Sequence, residues 1–303
     1  MIDFLKEQNI NEDLIKQVLE FREKYPLDNS LKDRVPKSDF KYYGKEIWEM
    51  AITAILQGSN ILLAGPKASG KNVLCDNLAT LFNRPSWNIS FHTNTDANSL
   101  IGTDTFIDNR VNFRPGPVHE VATKGGFGIL DEINMAKNDS ISVLHSCLDH
   151  RRSIDISGYE KIDLSEPSRF IGTMNYGYVG TRELNEALVS RFMVIDMPEI
   201  NEITLKKIIE TNFNLKKEYL NLFIRLFLDL QLKSQNSEIS SKPIDLRGLL
   251  SAIGIIEKGL DVKTALKMGV TYKSFDLFER DVVNDVIDTL FKDNLYAKDI
   301  FNK

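Results

Sequence analysis

Short apolar runs recur through the middle of the chain, and each is followed by a turn and by a stretch with helical periodicity. The runs begin at Ile61, Trp87, Phe127, Phe170 and Met193. Apolar strands that alternate with helices are typical of a parallel sheet with both faces covered. The pattern therefore predicts an α/β fold in which a five-stranded parallel sheet is covered by helices.

Helical patterns also lie on both sides of this region. An amphipathic helix is predicted over residues 11–24, with Asn11 as its N-cap, and a second over 45–57, ending at Gly58. The polar stretch between them is typical of a linker. Beyond Pro198 every further pattern is helical. We predict three segments: a helical N-terminal extension and linker over 1–40, an α/β domain over 41–199, and a helical lid over 200–303.

The composition narrows the classes of partner. The 303 residues include 43 Asp and Glu against 38 Lys and Arg, so the net charge is −5. Proteins that hold nucleic acid by its phosphates usually carry a basic surface, so this balance does not favour nucleic acid. No apolar run reaches the roughly 20 residues of a membrane span, and the charged N-terminus does not resemble a signal peptide. With only two cysteines as well, we expect a cytoplasmic protein without a membrane partner.

A glycine-rich loop joins the first predicted strand to the helix that follows. It has the pattern G-x-x-x-x-G-K, in which glycines let backbone N–H groups curl around a phosphate. The helix N-terminus adds positive potential, and Lys71 can reach the β- and γ-phosphate oxygens of a nucleoside triphosphate. An ordinary glycine turn is the alternative interpretation. The predicted nucleotide-binding residues of this loop are Gly65, Pro66, Lys67, Ala68, Ser69, Gly70, Lys71, Asn72 and Val73.

Asn72 departs from the usual pattern. Ser or Thr normally occupies this position and ligates Mg²⁺ through its hydroxyl group. Because an amide oxygen is also a ligand for hard cations, we predict Asn72 as a Mg²⁺ ligand, directly or through water.

Two later strands also end in polar residues. Asp131 and Glu132 follow the apolar run that begins at Phe127, and Asn175 follows the strand that begins at Phe170. The carboxyl ends of parallel strands meet at one edge of a sheet, where α/β proteins bind ligands. Asp131 is predicted to hold Mg²⁺, Glu132 to polarise the attacking water, and Asn175 to position that water. The three signals in this order favour a nucleoside triphosphate and Mg²⁺ as cofactors.

Two arginines lie at the ends of predicted helices. Arg191 ends a helix just before the last strand, so it is expected to project from the flank of the domain rather than into its own phosphate site. A surface ion pair is the alternative for Arg191. Arg247 begins a helix of the lid, where packing or pairing with Asp245 is the alternative.

Four motifs occur in order on these elements: DEIN at 131–134, GTMN at 172–175, GTRELN at 180–185 and SRF at 190–192. Together they resemble the MoxR group of AAA+ ATPases, and within it the CbbQ/NorQ branch. The resemblance covers about residues 40–290 and implies a P-loop AAA+ module with a helical lid. It implies ATP hydrolysis that remodels, matures or activates a protein partner or an enzyme complex.

The same resemblance implies an assembly and further roles. ATP would lie between the subunits of a homo-oligomeric, hexameric ring, with Arg191 acting on the neighbour's ATP and Arg247 sensing the γ-phosphate. Arg182, in the same region, is the next candidate for the arginine finger. Members of the group commonly act with a partner that carries a von Willebrand factor type A domain. A hairpin turning at 108–109 resembles the insert that faces the ring pore, and another at 153–164 resembles the hairpin before the sensor strand.

Three functions are compatible with these patterns. The first is ATP-driven protein remodelling, the second is a GTP-using or DNA-acting AAA+ motor, and the third is a weakly hydrolysing nucleotide switch in which Asn72 weakens Mg²⁺ binding. Tyr42 and Tyr43 either line a base pocket or pack in the core. Three potential zinc ligands, His145, Cys147 and His150, lie close in sequence. On one helix these positions do not share a face, so we predict no zinc site there.

Overall fold

The computed structural model describes residues 1–38, 40–107, 109–137, 141–156, 158–176 and 183–302. The chain divides into two compact units. The first contains Met1–Pro66 and Gly70–Pro198, and the second contains Lys67–Ser69 and Glu199–Lys303. Each unit has an apolar core of its own.

Nine strands lie in the described part of the first unit. They are β1 (Ile61–Gly65), β2 (Ser86–Ser90), β3 (Gly102–Ile107), β4 (Arg110–Pro115), β5 (Phe127–Asp131), β6 (Ser153–Ile154), β7 (Ile162–Asp163), β8 (Arg169–Asn175) and β9 (Met193–Asp196). Five of them form one parallel sheet in the order β2-β5-β8-β1-β9. The predicted five-stranded parallel sheet is confirmed, and each predicted apolar run is one of its strands.

Helices cover both faces of this sheet. The helices in the described part of the first unit are α1 (Ile2–Glu7), α2 (Glu12–Lys24), α3 (Lys45–Gln57), α4 (Lys71–Phe82), α5 (Ala97–Ile101), α6 (Pro117–Lys124), α7 (His145–Leu148) and α8 (Glu186–Val189), with 3₁₀ turns at Asn29–Arg34, Ile133–Met135 and Ser142–Leu144. Successive side chains of a strand point to opposite faces. Ile61 and Leu63 therefore join the core that contains side chains of α1 to α4, whereas Leu62 joins a second core with α5, α6 and α7.

The N-terminal helices belong to the first of these cores. Val18 and Phe21 of α2 are buried, and the ring of Phe21 lies 5.1 Å from the ring of Phe82 in α4. Arg22 donates from Nε to the carbonyl oxygen of Leu81 over 2.6 Å, at the end of α4. The segment predicted as an extension is thus packed into the α/β unit, because one face of α2 is apolar.

Two hairpins lie outside the main sheet. β3 pairs with β4, and β6 pairs with β7, both antiparallel, so both predicted hairpins are present. Tyr159, between β6 and β7, donates from its hydroxyl to the Asp104 carboxylate of β3, and its ring lies 5.0 Å from that of Phe113 in β4. These contacts join the two hairpins. Asp108, between β3 and β4 in sequence, and Ser157, between β6 and β7, lie outside the described residues.

The second unit is helical. It contains α9 (Glu202–Asn212), α10 (Lys217–Gln235), α11 (Leu246–Glu257), α12 (Val262–Gly269), α13 (Leu277–Leu290), α14 (Ala297–Ile300) and a 3₁₀ turn at Thr271–Lys273. Asn or Asp side chains cap four of these helices by accepting a main-chain N–H, namely Asn201, Asp245, Asp261 and Asp276. Between residues 199 and 302 the structure has no strand, and its one isolated β-bridge joins Leu215 to Phe301. The predicted helical C-terminal region is confirmed.

Candidate functional site

The glycine-rich loop between β1 and α4 is tightly curled. Ala68 and Gly70 have φ values of 65° and 86°, in the left-handed region. A Cβ atom at position 70 would also lie 3.1 Å from the Tyr42 ring, so both the backbone angle and the space favour glycine there. Left-handed residues in such a loop turn backbone N–H groups into a concavity that suits an anion.

Lys71, the first residue of α4, is buried beside this loop. Its ammonium group donates to the carbonyl oxygens of Gly65, over 2.9 Å, and Pro66, over 2.8 Å. Burial lowers the pKa of Lys71 from 10.5 to about 8, and the negative charges of Asp131 and Glu132 offset part of this effect. A buried cation next to a concave loop is a suitable site for phosphate oxygens.

Asp131 ends β5 and is held from two neighbouring elements. Its Oδ1 accepts a hydrogen bond from Thr173 Oγ1 of β8 over 2.6 Å, and its Oδ2 accepts one from Asn72 Nδ2 of α4 over 3.3 Å. The structure thus brings the two predicted Mg²⁺ ligands together. The amide nitrogen of Asn72 faces the carboxylate, so a half-turn of the amide group would present its oxygen to a cation shared with Asp131.

Glu132 and Asn175 are also neighbours. Glu132 has a left-handed backbone, with φ of 54°. Its N–H donates to Thr173 Oγ1 over 3.1 Å, and its Oε1 accepts from Asn175 Nδ2 over 3.4 Å. Asn134 donates from Nδ2 to the main-chain oxygen of Asn175 over 3.0 Å. The predicted base and the predicted water-positioning amide therefore lie side by side at the edge of the sheet.

The groups at this edge fit a nucleoside triphosphate with Mg²⁺. The curled loop and Lys71 provide N–H donors and a cation for phosphate oxygens. The carboxylate of Asp131 and the amide of Asn72 offer the hard oxygen ligands that Mg²⁺ prefers. Glu132 stands next to them with a carboxylate that can take a proton from water.

Two polar residues of this site carry no role in the sequence prediction. Thr173 bridges Asp131 and Glu132, and Asn134 holds the main chain of Asn175. Both are buried. A signal for Thr173 exists in the sequence, because it lies two residues before Asn175 and so shares one face of a strand with it. Asn134 lies two residues after Glu132, beyond Ile133, and offers no comparable pattern.

The sequence is similar to a known domain family and to bacterial proteins. The AAA domain (dynein-related subfamily) matches residues 60–192, which include the glycine-rich loop, both acids and Asn175. The uncharacterized protein YojN of Bacillus subtilis (strain 168) is 31% identical over 296 residues, which are 95% of this chain and 96% of YojN. This chain belongs to the AAA family.

Other relatives of this AAA protein are similar over much of their length. The uncharacterized protein SH1500 of Staphylococcus haemolyticus is 31% identical over 239 residues, which are 77% of this chain and 90% of that protein. A crystal structure of a candidate ATPase from Cytophaga hutchinsonii ATCC 33406 aligns with 91% of the chain and 97% of its own length, with a TM-score of 0.45 and 16% identity. The chain thus carries an AAA domain over residues 60–192 and is related to YojN and SH1500 over most of its length.

Arg191 of the AAA domain is held within its own chain. It donates from Nε to the carbonyl oxygen of His145 over 3.3 Å, also contacts the Ala187 carbonyl oxygen, and lies 3.6 Å from Asp149. A hydrogen bond from Arg151, the stronger partner, lowers the pKa of Asp149 to about 2. The structure therefore contains the ion pair that is the alternative for Arg191, and its action on a neighbouring subunit stays a prediction. Residues 177–182, with the second candidate finger, lie outside the described residues.

Arg247 and Tyr42 complete the set of predicted residues. Arg247 is exposed at the start of α11, and its main-chain N–H donates to Asp245 Oδ1 over 3.2 Å. Its contact with a γ-phosphate stays a prediction. Tyr42 is buried against Gly70, and its N–H donates to Asn77 Oδ1 over 3.0 Å, so packing rather than an open base pocket describes this ring. Within the described residues of this AAA protein, no helix is long and apolar enough to cross a membrane.

Proposed function

We propose that this AAA protein hydrolyses ATP with Mg²⁺ at the edge of its sheet. One observation carries the proposal: three distant parts of the sequence, Lys71, the Asp131–Glu132 pair and Asn175, converge where the strands end. An ordinary glycine turn would not need Asp131, Glu132 or Asn175 beside it. The alternative of a simple turn is therefore not favoured.

Each side chain has a defined task in this reaction. Lys71 and the loop N–H groups hold the phosphates and orient the γ-phosphoryl group. Asp131 and Asn72 hold Mg²⁺, which when bound neutralises negative charge on the phosphate oxygens. Glu132 accepts a proton from the attacking water, and Asn175 holds that carboxylate and water in place.

The proposal extends to the biological class. The four motifs that resemble the MoxR group, together with the AAA-domain match, support a ring-forming ATPase that remodels a protein partner. A hexamer and a partner with a von Willebrand factor type A domain are the forms that this resemblance favours. The net charge of −5 supports a protein rather than DNA as the client. A GTP-using motor and a weakly hydrolysing switch are the competing functions.

Turnover of ATP and GTP, measured with and without Mg²⁺, tests the proposal. Glu132→Gln should bind ATP yet turn it over about 10²- to 10⁴-fold more slowly, because the general base is lost. Lys71→Ala should lose binding of a fluorescent ATP analogue. Glu23→Gln, an exposed carboxylate on α2, serves as the matched control and should keep wild-type turnover.

Three results would contradict the proposal or redirect it. Wild-type binding of the analogue by Lys71→Ala would remove the phosphate site from this loop. Turnover by Glu132→Gln within a few-fold of wild type would place the base elsewhere. Tight nucleotide binding with no turnover under any Mg²⁺ concentration would favour the nucleotide switch.

A further inference from the structure

A single buried hydroxyl group links the two acids of the site. Thr173 lies in the middle of the sheet, in β8, and is 1% exposed. Its Oγ1 donates to Asp131 Oδ1 over 2.6 Å and accepts the N–H of Glu132 over 3.1 Å. A hydroxyl has one proton and two lone pairs, so one group satisfies both bonds. The directions of these two hydrogen bonds are fixed, because the Asp131 carboxylate can only accept and the Glu132 N–H can only donate.

The first bond restricts the Asp131 carboxylate. Asn72 donates to its other oxygen over 3.3 Å, so both oxygens are engaged from different elements, β8 and α4. Hydrogen bonds to a charged acceptor are among the stronger ones in proteins. The plane of the carboxylate is thereby set by the sheet before any cation binds.

The second bond restricts the backbone of Glu132. This residue has φ of 54°, in the left-handed region that L-residues adopt only at an energetic cost. The bond from its N–H to Thr173 holds that turn, and the turn brings Glu132 Oε1 to 3.4 Å from Asn175 Nδ2. Thr173 and Asn175 are two residues apart on one strand, so β8 presents the hydroxyl and the amide on the same side of the sheet.

We propose that Thr173 is a positioning residue that orients Asp131 toward the metal and Glu132 toward the attacking water. It touches neither the nucleotide nor the water, and acts through the two acids. The inference rests on the proposed ATPase function. It predicts an effect on metal affinity and on kcat, with little effect on the KM for ATP, because the phosphate-binding loop does not depend on this hydroxyl.

Thr173→Val tests the proposal, because valine keeps the branched shape and removes the hydroxyl. The kcat should fall about 10- to 100-fold, as is usual when the support of a metal ligand is lost, and the KM for ATP should stay within about two- to three-fold. Binding of Mn²⁺ in the presence of ADP, followed by electron paramagnetic resonance without turnover, should weaken by about 10-fold or more. Thr173→Ser restores the hydroxyl and should recover both properties.

Thr271→Val is the matched control. Thr271 is equally buried and donates from Oγ1 to Asn284 Oδ1 over 3.0 Å, but it lies in the helical unit. The same chemical change there should leave kcat and Mn²⁺ affinity near wild type. If Thr173→Val does not fold, Thr173→Cys, whose thiol is only a weak donor and acceptor, replaces it with the same readouts.

The outcomes separate this inference from the proposed function. A wild-type protein without hydrolysis would overturn the proposed function itself. Normal hydrolysis with unchanged kcat and Mn²⁺ affinity in Thr173→Val would overturn only the role of Thr173. Equal losses in Thr173→Val and Thr173→Ser would show that packing, rather than the hydroxyl, matters at this position.

Discussion

At the scale of single residues, Lys71 shows how strongly the surroundings change a side chain. Its ammonium group is buried and bonded to two loop carbonyls, and burial lowers its pKa from 10.5 to about 8. Burying a cation costs free energy, and the nearby negative charges of Asp131 and Glu132 offset only part of that cost at Lys71. The phosphate oxygens of a bound nucleotide would add compensating negative charge beside Lys71. The buried ammonium group therefore favours nucleotide binding but lowers the stability of the nucleotide-free protein.

This cost predicts a pH-dependent gain in stability for Lys71→Met. Below pH 8 the folded wild type holds a buried charge, and the variant should be more stable by about 2 kcal/mol. Between pH 8 and about 10.5, Lys71 keeps its proton in the unfolded chain but loses it in the folded chain. The stability of the wild type therefore rises with pH in this range, and the difference in unfolding free energy between Lys71→Met and wild type becomes smaller. Urea unfolding without nucleotide at pH 7 to 10 measures the difference.

Tryptophan fluorescence suits this measurement, because Trp48 and Trp87 both lie in the cores of the first unit. Other titrating groups are shared by wild type and variant and cancel in the difference. A gap that does not change with pH would show that Lys71 keeps its proton in the folded state throughout this range.

At the scale of elements, α2 shows that a helix outside the AAA-domain match contributes to the fold. Its residues precede the match, which begins at residue 60. Phe21 packs edge-on against Phe82, and Arg22 donates to two carbonyl oxygens, of Thr80 and Leu81, at the end of α4. The helix therefore shields the core and satisfies main-chain groups at the end of the helix that begins at Lys71.

A pair of variants on α2 tests this role. Phe21→Ala removes a buried ring and should lower the free energy of unfolding by about 3–4 kcal/mol. Leu19→Ala, on the same helix but 40% exposed, should change it by less than about 0.5 kcal/mol. Both are measured by tryptophan fluorescence in urea. Similar small effects for the two variants would mean that α2 is an appendage and that residues 41–199 fold without it.

At the scale of the whole molecule, the open question is whether one chain suffices for hydrolysis. Arg191 is bonded to His145 and Asp149 of its own chain, and its side chain is 21% exposed. If it acts as a finger on a neighbour's ATP, an assembly must draw it from this ion pair. Such arginines stabilise charge on the transferring phosphoryl group.

Mixing two inactive chains tests the ring. Arg191→Ala should bind ATP normally and lose about 10³- to 10⁵-fold in turnover, by analogy with known arginine fingers. Lys71→Ala is expected to lose nucleotide binding but keeps Arg191. Co-assembled rings of the two should recover part of the activity, since one chain supplies the arginine and the other the nucleotide.

Arg151→Ala is the matched control for this experiment. Arg151 pairs with the same Asp149, over 2.7 Å, but is 54% exposed, and its loss should leave turnover near wild type. Mixed rings verified by native mass spectrometry that show no recovery would exclude a trans role for Arg191. Equal losses of turnover in Arg151→Ala and Arg191→Ala would show that both arginines support the structure through their ion pairs with Asp149.

Features that depend on residues close together in the chain could be predicted from the amino-acid sequence. Apolar runs with intervening helical periodicity predicted the five strands, and Gly58 and Asn11 predicted helix ends that the structure confirms. The loop from Gly65 to Lys71 was readable because its glycines and its lysine act through local backbone geometry. Strands, helix ends and the glycine-rich loop are each specified by the residues that form them, so a local sequence pattern is enough to predict them.

Contacts between distant parts of the chain could not be predicted from the sequence and became known from the folded structure. The strand order β2-β5-β8-β1-β9 places Thr173 beside Asp131, 42 residues away, and Asn72 beside the same carboxylate across 59 residues. The packing of α2 and the ion pair of Arg191 are of the same kind. No periodicity encodes which strand lies next to which, because that choice is made by the burial of whole faces against one another.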